Sequence, residues 1–231
     1  LLIKFYEAKI LEKLMDIILA SKNQDKIKEI SRILEGININ LKNCNDVVIP
    51  EVEETGSTFI ENAILKARSA SNVTGLPSIA DDSGIEVDYL LGRPGVLSAR
   101  YSGISATNQS NNEKLLAELD GVEFNERKAC YRCVIVYMRF PDDPFPVITS
   151  GTWGGYIASE PKGKNGFGYD PIFYLPDYKK TSAEITINEK NKISHRAIAL
   201  NKLREIVSVD LPSIFCNSNK PLSKFQTKVG K

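Results

Sequence analysis

Short apolar runs alternate with helical patterns along most of the chain, from about residue 15 to residue 207. Residues 15–21 predict a buried strand, and residues 24–35 then carry apolar side chains at helical spacing up to Gly36. We find no linker, repeat or low-complexity tract between these elements. This alternation is typical of α/β proteins, and it predicts one domain in two lobes with a mixed sheet and flanking helices.

Three further helices have recognisable start signals. A Ser or Thr three residues before a Glu predicts a capping box, and glycines or a proline mark the helix ends. The first of these helices starts at Thr58 with Glu61 and ends near Gly75 and Pro77. The second starts at Ser110 with Glu113 and ends at Gly121, and the third starts at Ser194.

Strand signals fill the intervals between these helices. Residues 78–88 predict a strand, a tight turn and a second strand, with the turn at Asp81–Gly84. Residues 127–140 and 146–158 are rich in β-formers and predict a hairpin-like pair.

Composition excludes several classes of function. The 231 residues contain 30 Lys plus Arg and 29 Asp plus Glu, so no overall charge favours nucleic acid or a membrane surface. Charges interrupt every apolar run, and the four cysteines are scattered, so we expect a soluble cytoplasmic protein. Cys130 and Cys133 form CxxC, but their odd separation in a strand predicts opposite faces and a packing role. With a single histidine, a metal site must rely on oxygen ligands, which favours Mg²⁺ or Mn²⁺.

The two ends differ from the region between them. Charged residues interrupt residues 1–14, which lack the features of a signal peptide, so we expect an N-terminal extension outside the core. Residues 210–231 form a basic tail, with four lysines among Ser and Asn and no acidic residue after Pro212, which predicts a mobile end. The expected catalytic domain is therefore residues 15–209.

Carboxylates are concentrated in two stretches, residues 51–54 and the pair Asp81 and Asp82. Adjacent side chains on an extended strand point to opposite faces, so one carboxylate of the pair is expected to face a cleft. Two simpler interpretations stay open on spacing alone: turn-capping aspartates and a solvated acidic face.

A strand-to-helix turn at residues 21–26 places backbone amides and two lysines at a helix start. Such a turn is typical of phosphate binding, although Ser and Asn also serve merely as caps. Lys66, on the helix that begins near Thr58, would add positive charge to the same cleft or simply be solvated.

Aromatic and polar residues are also grouped near the end of the chain. Residues 167–171 and 194–196 combine aromatic faces, a carboxylate and cationic donors, which are the groups needed to stack and read a purine. The alternatives are core aromatics and a surface His195.

In this order the motifs resemble the Ham1 family of inosine and xanthosine triphosphate pyrophosphatases. The motifs are ASKNQDKIKEI, EETGSTFIENAILKA, IADDSGIEVD, GRPGVLSARYSG, GFGYDPIF and ISHRAIAL, between about Met15 and Val207. The resemblance implies an α/β fold whose sheet is split into two lobes around a central cleft, and a homodimer. It also implies hydrolysis of ITP, dITP and XTP to the monophosphate and pyrophosphate.

The resemblance also implies a role for particular residues. Asp82 would be the catalytic carboxylate and would bind Mg²⁺, or Mn²⁺ in its place, together with Glu54. Phosphate contacts are implied for Ser21, Lys22, Asn23, Gln24, Asp25, Lys26, Lys66 and Ser83. The base and sugar pocket would comprise Phe167, Gly168, Tyr169, Asp170, Lys190, His195 and Arg196.

The first motif departs from the family, whose usual TGNxGK is replaced here by residues 21–26. Lys22 and Asp25 stand where glycines are usual, and both would resist a positive φ angle. Asp25 also brings negative charge towards a polyanion, so we expect weaker triphosphate binding.

Three other interpretations remain at the level of sequence. The chain could be a non-catalytic nucleotide-binding module, or a Maf-like pyrophosphatase acting on dTTP or modified pyrimidine nucleotides. The basic tail could contact nucleic acid, although a nucleic-acid partner is not the expected one.

Overall fold

The computed structural model describes residues 14–43, 47–50 and 52–214. Within these residues the strands are β1 (Met15–Leu19), β2 (Ile39–Asn43), β3 (Ser78–Val87), β4 (Lys128–Met138), β5 (Val147–Ile157), β6 (Phe173–Leu175) and β7 (Lys180–Thr181). The helices are α1 (Gln24–Ile33), α2 (Phe59–Thr74), α3 (Asn108–Glu118), α4 (Ile187–Ile193) and α5 (His195–Ile214).

The strands form one mixed sheet in the order β2-β1-β3-β4-β5-β6-β7. β1 is parallel to β2 and β3, and all pairs from β3 onward are antiparallel. The α/β prediction is confirmed. The sheet is continuous, however, rather than split: β1 pairs only with the start of β3, at Ser78 and Ile79, and the rest of β3 continues with β4 and β5 into the other lobe.

The hydrophobic core follows this division. Two clusters pack around β1, one against α1 and α5 and the other against α2, and they include Ile17 and Ile18 on opposite faces of the strand. A third cluster, containing Ile85, Trp153 and Phe173, lies around the far halves of the long strands. The long strands therefore connect two separately packed lobes.

The predicted turn at Asp81–Gly84 is wrong, because β3 runs unbroken through these residues. Its register with β4 is continuous from Ser78 to Val87. Gly84 does not form a turn but lets Gly95 and Ser98 approach the strand closely, because a Cβ at position 84 would lie 2.5 Å from both Gly95 O and Ser98 Oγ. The alternation of the two aspartates across the strand is confirmed by their different partners, described below.

The start of α3 also differs from the prediction. Thr107 is the N-cap, and Ser110 occupies the third helical position, where its side chain returns a hydrogen bond to the cap. Ser110 is thus inside the helix, because a hydroxyl can take the role that a Glu has in the usual capping box.

The other predicted elements agree with the structure. Thr58 and Glu61 form a capping box for α2, which ends at Gly75 in the left-handed conformation. β4 and β5 pair as a hairpin, and Cys130 and Cys133 are free thiols, the first half-buried and the second buried. Burial raises the pKa of Cys133 to about 12, which suits a packing role.

The ends of the chain are only partly described. Residues 1–13 and 215–231 lie outside the described residues, so the extension and most of the expected tail do as well. α5 itself continues to Ile214, past the expected domain end at residue 209. Among the described residues, we find no helix of the length and apolarity required to cross a bilayer.

Candidate active site

Two adjoining hollows lie where the lobes meet. The first, called here the aromatic pocket, has a cavity volume of about 110 Å³ and is lined by Tyr131, Phe167, Lys190, His195 and Arg196, among others. The second, called here the ionic cleft, is lined by Lys22, Glu54, Lys66, Asp81 and Arg100, among others. Asn23, Lys26 and Ala99 line both hollows, so a single elongated ligand can occupy the two together.

The turn between β1 and α1 forms the boundary between the hollows. Asn23 caps α1, because its side-chain oxygen accepts hydrogen bonds from Asp25 N at 3.0 Å and Lys26 N at 3.1 Å. Neither Lys22 nor Asp25 adopts a positive φ angle. The expected strain at these positions is therefore absent, since an asparagine-capped turn does not need the glycines of the family motif.

Lys66 bridges two carboxylates in the ionic cleft. Its ammonium donates to Asp82 Oδ1 at 2.7 Å and to Glu54 Oε1 at 2.8 Å. Arg100 donates to the other Glu54 oxygen at 3.1 Å, and Asn62 Nδ2 lies 3.5 Å from Asp82 Oδ2. Residues on four different segments thus converge on one ionic cluster.

The environment shifts the pKa values of this cluster in different directions. Burial raises the pKa of Asp82 above its ordinary value, despite the ion pair with Lys66. Burial also acts to raise the pKa of Glu54, but Lys66 and Arg100 outweigh it and lower that pKa. For Lys66, burial is outweighed by Asp81, Asp82 and Glu54, which raise its pKa.

Asp81 also lines the ionic cleft, but its direct partners belong to a buried chain of charges. Lys26 Nζ lies 3.0 Å from Asp81 Oδ2, and Arg196 donates to the same oxygen at 3.3 Å. Although burial opposes ionisation, these two cations hold the pKa of Asp81 well below its usual range. Ser83 Oγ accepts from Arg196 at 3.0 Å, which places Ser83 beside the aromatic pocket.

Glu29 connects this chain to the rest of the aromatic pocket. It pairs with Arg196, and Lys190 Nζ lies 3.1 Å from its Oε1. Lys190 also donates to Asp170 Oδ2 at 2.6 Å. The buried acids Glu29, Asp81 and Asp170 therefore alternate with the bases Lys26, Lys190 and Arg196, which compensates their charges.

A glycine-rich loop places an aromatic ring over these cations. Phe167 N donates to Asp170 Oδ2 at 2.8 Å, and Gly166 is required there because a Cβ would lie 2.0 Å from that same oxygen. The Phe167 ring centroid lies 4.9 Å from Lys190 Nζ and 5.7 Å from Arg196 Cζ. The half-exposed ring can stack on a planar ligand.

His195 is buried at the start of α5 and stacks on Tyr131, with ring centroids 4.6 Å apart. Burial, together with Arg196 and Lys190, lowers its pKa well below the usual value, so the imidazole is neutral. Among the described residues, His195 Nδ1 and Arg196 Nε are buried without a hydrogen-bond partner. These are polar atoms at the aromatic pocket that a ligand can satisfy.

The structure brings most of the sequence-predicted residues to one of the two hollows. Gln24 and Asp25 line neither hollow; both are exposed, and Asp25 lies 3.9 Å from Lys28 Nζ. Asp82 also lines neither, because it is buried and pairs with Lys66, which lines the ionic cleft. Several residues at or beneath the hollows were missed by sequence reasoning: Glu29, Ser98, Arg100, Asn111, Asn112 and Tyr131. Glu29 gave no local signal, because its partners Lys190 and Arg196 lie far from it in the sequence.

The residues of the ionic cluster suit a divalent cation. Two carboxylates from separate segments already share one cation, the Lys66 ammonium, so the position between them is built for positive charge. Carboxylate oxygens are the ligands that Mg²⁺ prefers. Among the described residues, no group of three or more His, Cys, Asp or Glu side chains is placed to hold a metal ion, so Glu54 and Asp82 would supply only two protein ligands.

The fold and the joined hollows define a class of α/β protein that holds an elongated polar ligand with a planar end. The Ham1 family profile matches residues 17–206, and the chain belongs to this family. A protein named dITP/XTP pyrophosphatase from Thioalkalivibrio sulfidiphilus is 53% identical over 191 residues, covering 83% of this chain and 97% of that protein. The Shigella flexneri protein of the same name is 51% identical over 187 residues, 81% of this chain and 95% of that protein.

Solved structures agree with this assignment. A HAM1 protein from Coxiella burnetii superimposes with a TM-score of 0.80 at 46% identity, covering 85% of this chain and 100% of that one. The Staphylococcus aureus Ham1 protein gives a TM-score of 0.76 at 41% identity, covering 84% of this chain and 99% of that one. These matches confirm the fold and the family resemblance.

Proposed function

We propose that this protein hydrolyses ITP, dITP and XTP to the nucleoside monophosphate and pyrophosphate. The observation that carries the proposal is the junction of the aromatic pocket with the ionic cleft across Asn23 and Lys26. One hollow suits a purine and the other suits a chain of phosphates with a cation. Family relatives that are about 50% identical to this chain over most of their length are named dITP/XTP pyrophosphatase, which supports the same activity.

Charge neutralisation is the main task in such a reaction. A triphosphate carries close to four negative charges, and cleavage between the α and β phosphates moves further charge onto the leaving pyrophosphate. Lys22, Lys26, Lys66 and Arg100 line the ionic cleft and face this charge. We assign them to orienting the phosphates and stabilising the leaving group.

Glu54 and Asp82 are the residues that would hold Mg²⁺ or Mn²⁺. A divalent cation there supplies positive charge to the phosphate oxygens and increases the acidity of water. Asp82 accepts the proton of the attacking water while the bond between the α phosphorus and the bridging oxygen breaks.

The aromatic pocket offers a reason for a preference against ATP. ITP and XTP carry a carbonyl at purine position 6, which accepts hydrogen bonds, whereas ATP carries an amino group. The Arg196 guanidinium, held from beneath by Glu29 and Asp81, offers donors to a carbonyl and none of the acceptors that an amino group needs. A buried donor left unpaired by adenine then disfavours ATP.

A panel of nucleotides tests the activity. Pyrophosphate release with Mg²⁺ is expected from ITP, dITP and XTP, with much less from GTP, ATP and dTTP. Preference for dTTP would support a Maf-like activity, which the relatives' names do not favour, and binding without turnover would support a non-catalytic module. Orthophosphate and the diphosphate as products would contradict the proposed bond cleavage.

The role of Asp82 is tested by Asp82→Asn. We expect turnover of ITP to fall at least about a hundredfold, because the cation ligand and the proton acceptor are both lost. Glu53→Gln is the matched control, since Glu53 lines the same cleft but lies outside the ionic cluster described above. Circular dichroism checks that both variants fold. Near-normal turnover of Asp82→Asn would rule out this assignment.

A homodimer, a cytoplasmic location and Mg²⁺ dependence are parts of the same proposal. They follow from the family resemblance and the scattered cysteines, and each has a direct measurement. Light scattering on the full chain measures the mass in solution, cell fractionation gives the location, and chelation followed by Mg²⁺ addition tests the metal requirement.

A further inference from the structure

We infer that Lys66 is the counter-ion of the metal-ligand pair in the free protein and that it moves to the substrate's phosphates when a divalent cation takes its place. The cation therefore binds weakly until a nucleotide is present. This inference rests on the proposed function and adds that the metal and the triphosphate bind together.

The contacts of Lys66 are the first argument. One ammonium lies 2.7 Å from Asp82 and 2.8 Å from Glu54, so it occupies the position between the two carboxylates that a shared cation needs. The side chain of Lys66 is 17% exposed and that of Asp82 only 7%. Lys66 lines the ionic cleft, so Asp82 is reached from it only after the ammonium has moved.

Charge balance is the second argument. Glu54 and Asp82 are already neutralised by Lys66 and Arg100, which makes the cluster neutral as a whole. Adding a divalent cation without an anion would leave an excess of positive charge in a partly buried place, where charge interactions are stronger than in water. A triphosphate supplies the missing negative charge and gives the ammonium a new partner.

The freedom of the side chain is the third argument. The capping box of Thr58 and Glu61 fixes the start of α2, and the helix continues through Lys66 to Thr74. Four rotatable methylene groups then carry the ammonium, so it can change partners without moving the helix. The open ionic cleft beside it provides the room.

Mn²⁺ binding to the full-length, metal-free protein tests the inference without any turnover. The loss of the electron paramagnetic resonance signal of free Mn²⁺ gives the dissociation constant in the absence of nucleotide. Lys66→Met is expected to bind Mn²⁺ at least about tenfold more tightly than the wild type, because a competing unit charge within contact distance is removed. Lys66→Arg, which keeps the charge, is expected to stay within about twofold.

Two further variants complete the design. Lys202→Met removes the same charge from α5, where Lys202 donates to Ser150 O, and is expected to leave Mn²⁺ binding unchanged. Arg100→Met removes the other cation on Glu54 and is expected to tighten binding less than Lys66→Met, because Arg100 is more exposed. If Lys66→Met does not fold, Arg100→Met decides: tighter binding supports the inference and unchanged binding overturns it.

Equal or weaker Mn²⁺ binding by a folded Lys66→Met would overturn the inference. A second titration adds the α,β-methylene analogue of ITP to the protein. A parallel titration of the analogue without protein measures how much Mn²⁺ the analogue binds by itself. The analogue is expected to tighten Mn²⁺ binding at least about tenfold in the wild type and much less in Lys66→Met; an equal effect in both contradicts the coupling. Failure of the wild type to release pyrophosphate would instead overturn the proposed function. The comparison of Mn²⁺ binding between the wild type and Lys66→Met without nucleotide would still test whether Lys66 competes with the cation.

Discussion

Glu29→Gln is the most informative single change in the aromatic pocket, because it removes one charge from a buried chain and almost no volume. Glu29 lies on α1 with 3% of its surface exposed and contacts both Lys190 and Arg196. After the change, the bases Lys26, Lys190 and Arg196 face only Asp81 and Asp170. One buried positive charge is then uncompensated.

The expected loss of stability follows from that imbalance. Breaking a buried ion pair by removing one partner costs roughly 3–5 kcal/mol, whereas a surface substitution changes stability by about 0.5 kcal/mol or less. Glutamine preserves the volume, so no cavity contributes to the loss. The lower end, about 3 kcal/mol, is expected here, because Arg196 retains Asp81 and Lys190 retains Asp170. For a domain of this size that corresponds to a fall in Tm of about 6–12 °C.

Urea unfolding followed by circular dichroism measures this loss. Glu35→Gln is the matched control, since it makes the same chemical change at an exposed position just after α1. The slope of the free energy of unfolding against urea should be unchanged and the midpoint lower. The variant should also discriminate less well between ITP and ATP, because Arg196 is held by one partner fewer.

A loss below about 1 kcal/mol for Glu29→Gln would refute the reasoning. It would mean that the two cations are already neutralised by Asp81 and Asp170, or that water reaches them in the folded protein. A lower stability with unchanged discrimination would refute only the second part, the positioning of Arg196 by Glu29.

Three further predictions concern other parts of the molecule. His195 is neutral in the folded protein but binds a proton below about pH 6.5 once the chain is unfolded. The free energy of unfolding should therefore fall as the pH drops below that value, by up to about 1.4 kcal/mol per pH unit. His195→Phe should remove this slope, which urea unfolding between pH 6.5 and 5 measures. Asp25→Asn should lower the KM for ITP at low salt as much as Asp25→Gly does, because the negative charge and not the backbone opposes the triphosphate; an unchanged KM would count against any effect of Asp25. Thr58→Ala should lower the stability by about 1 kcal/mol through loss of the α2 cap, measured by thermal unfolding.

Local signals in the sequence predicted much of the fold. Thr58, Glu61 and Gly75 bound a helix through hydrogen bonds between near neighbours, so the sequence alone carries that information. The β4 and β5 pair was predictable for the same reason. The turn predicted at Asp81–Gly84 failed because the role of Gly84 depends on Gly95 and Ser98, which reach it only in the folded protein.

The site was less predictable than the fold for a related physical reason. Glu29 sits in a run of charged residues on α1 that is typical of a solvated helix face, and nothing local shows that Lys190 and Arg196 approach it. Arg100 is similar, since its carboxylate partner, Glu54, lies 46 residues earlier in the chain. Long-range ion pairs leave no periodicity in a sequence, so their residues were missed or recognised only through the family resemblance.

The pleat of β3 explains how consecutive carboxylates come to hold different cations. Asp81 pairs with Lys26 and Arg196, whereas Asp82, on the other face of the strand, pairs with Lys66. Each aspartate thus holds its own cations, and the separation of the two carboxylates is set by a strand paired along its whole length with β4. A one-residue shift in that pairing would exchange the two faces, so the register of β3 decides which aspartate meets Lys66.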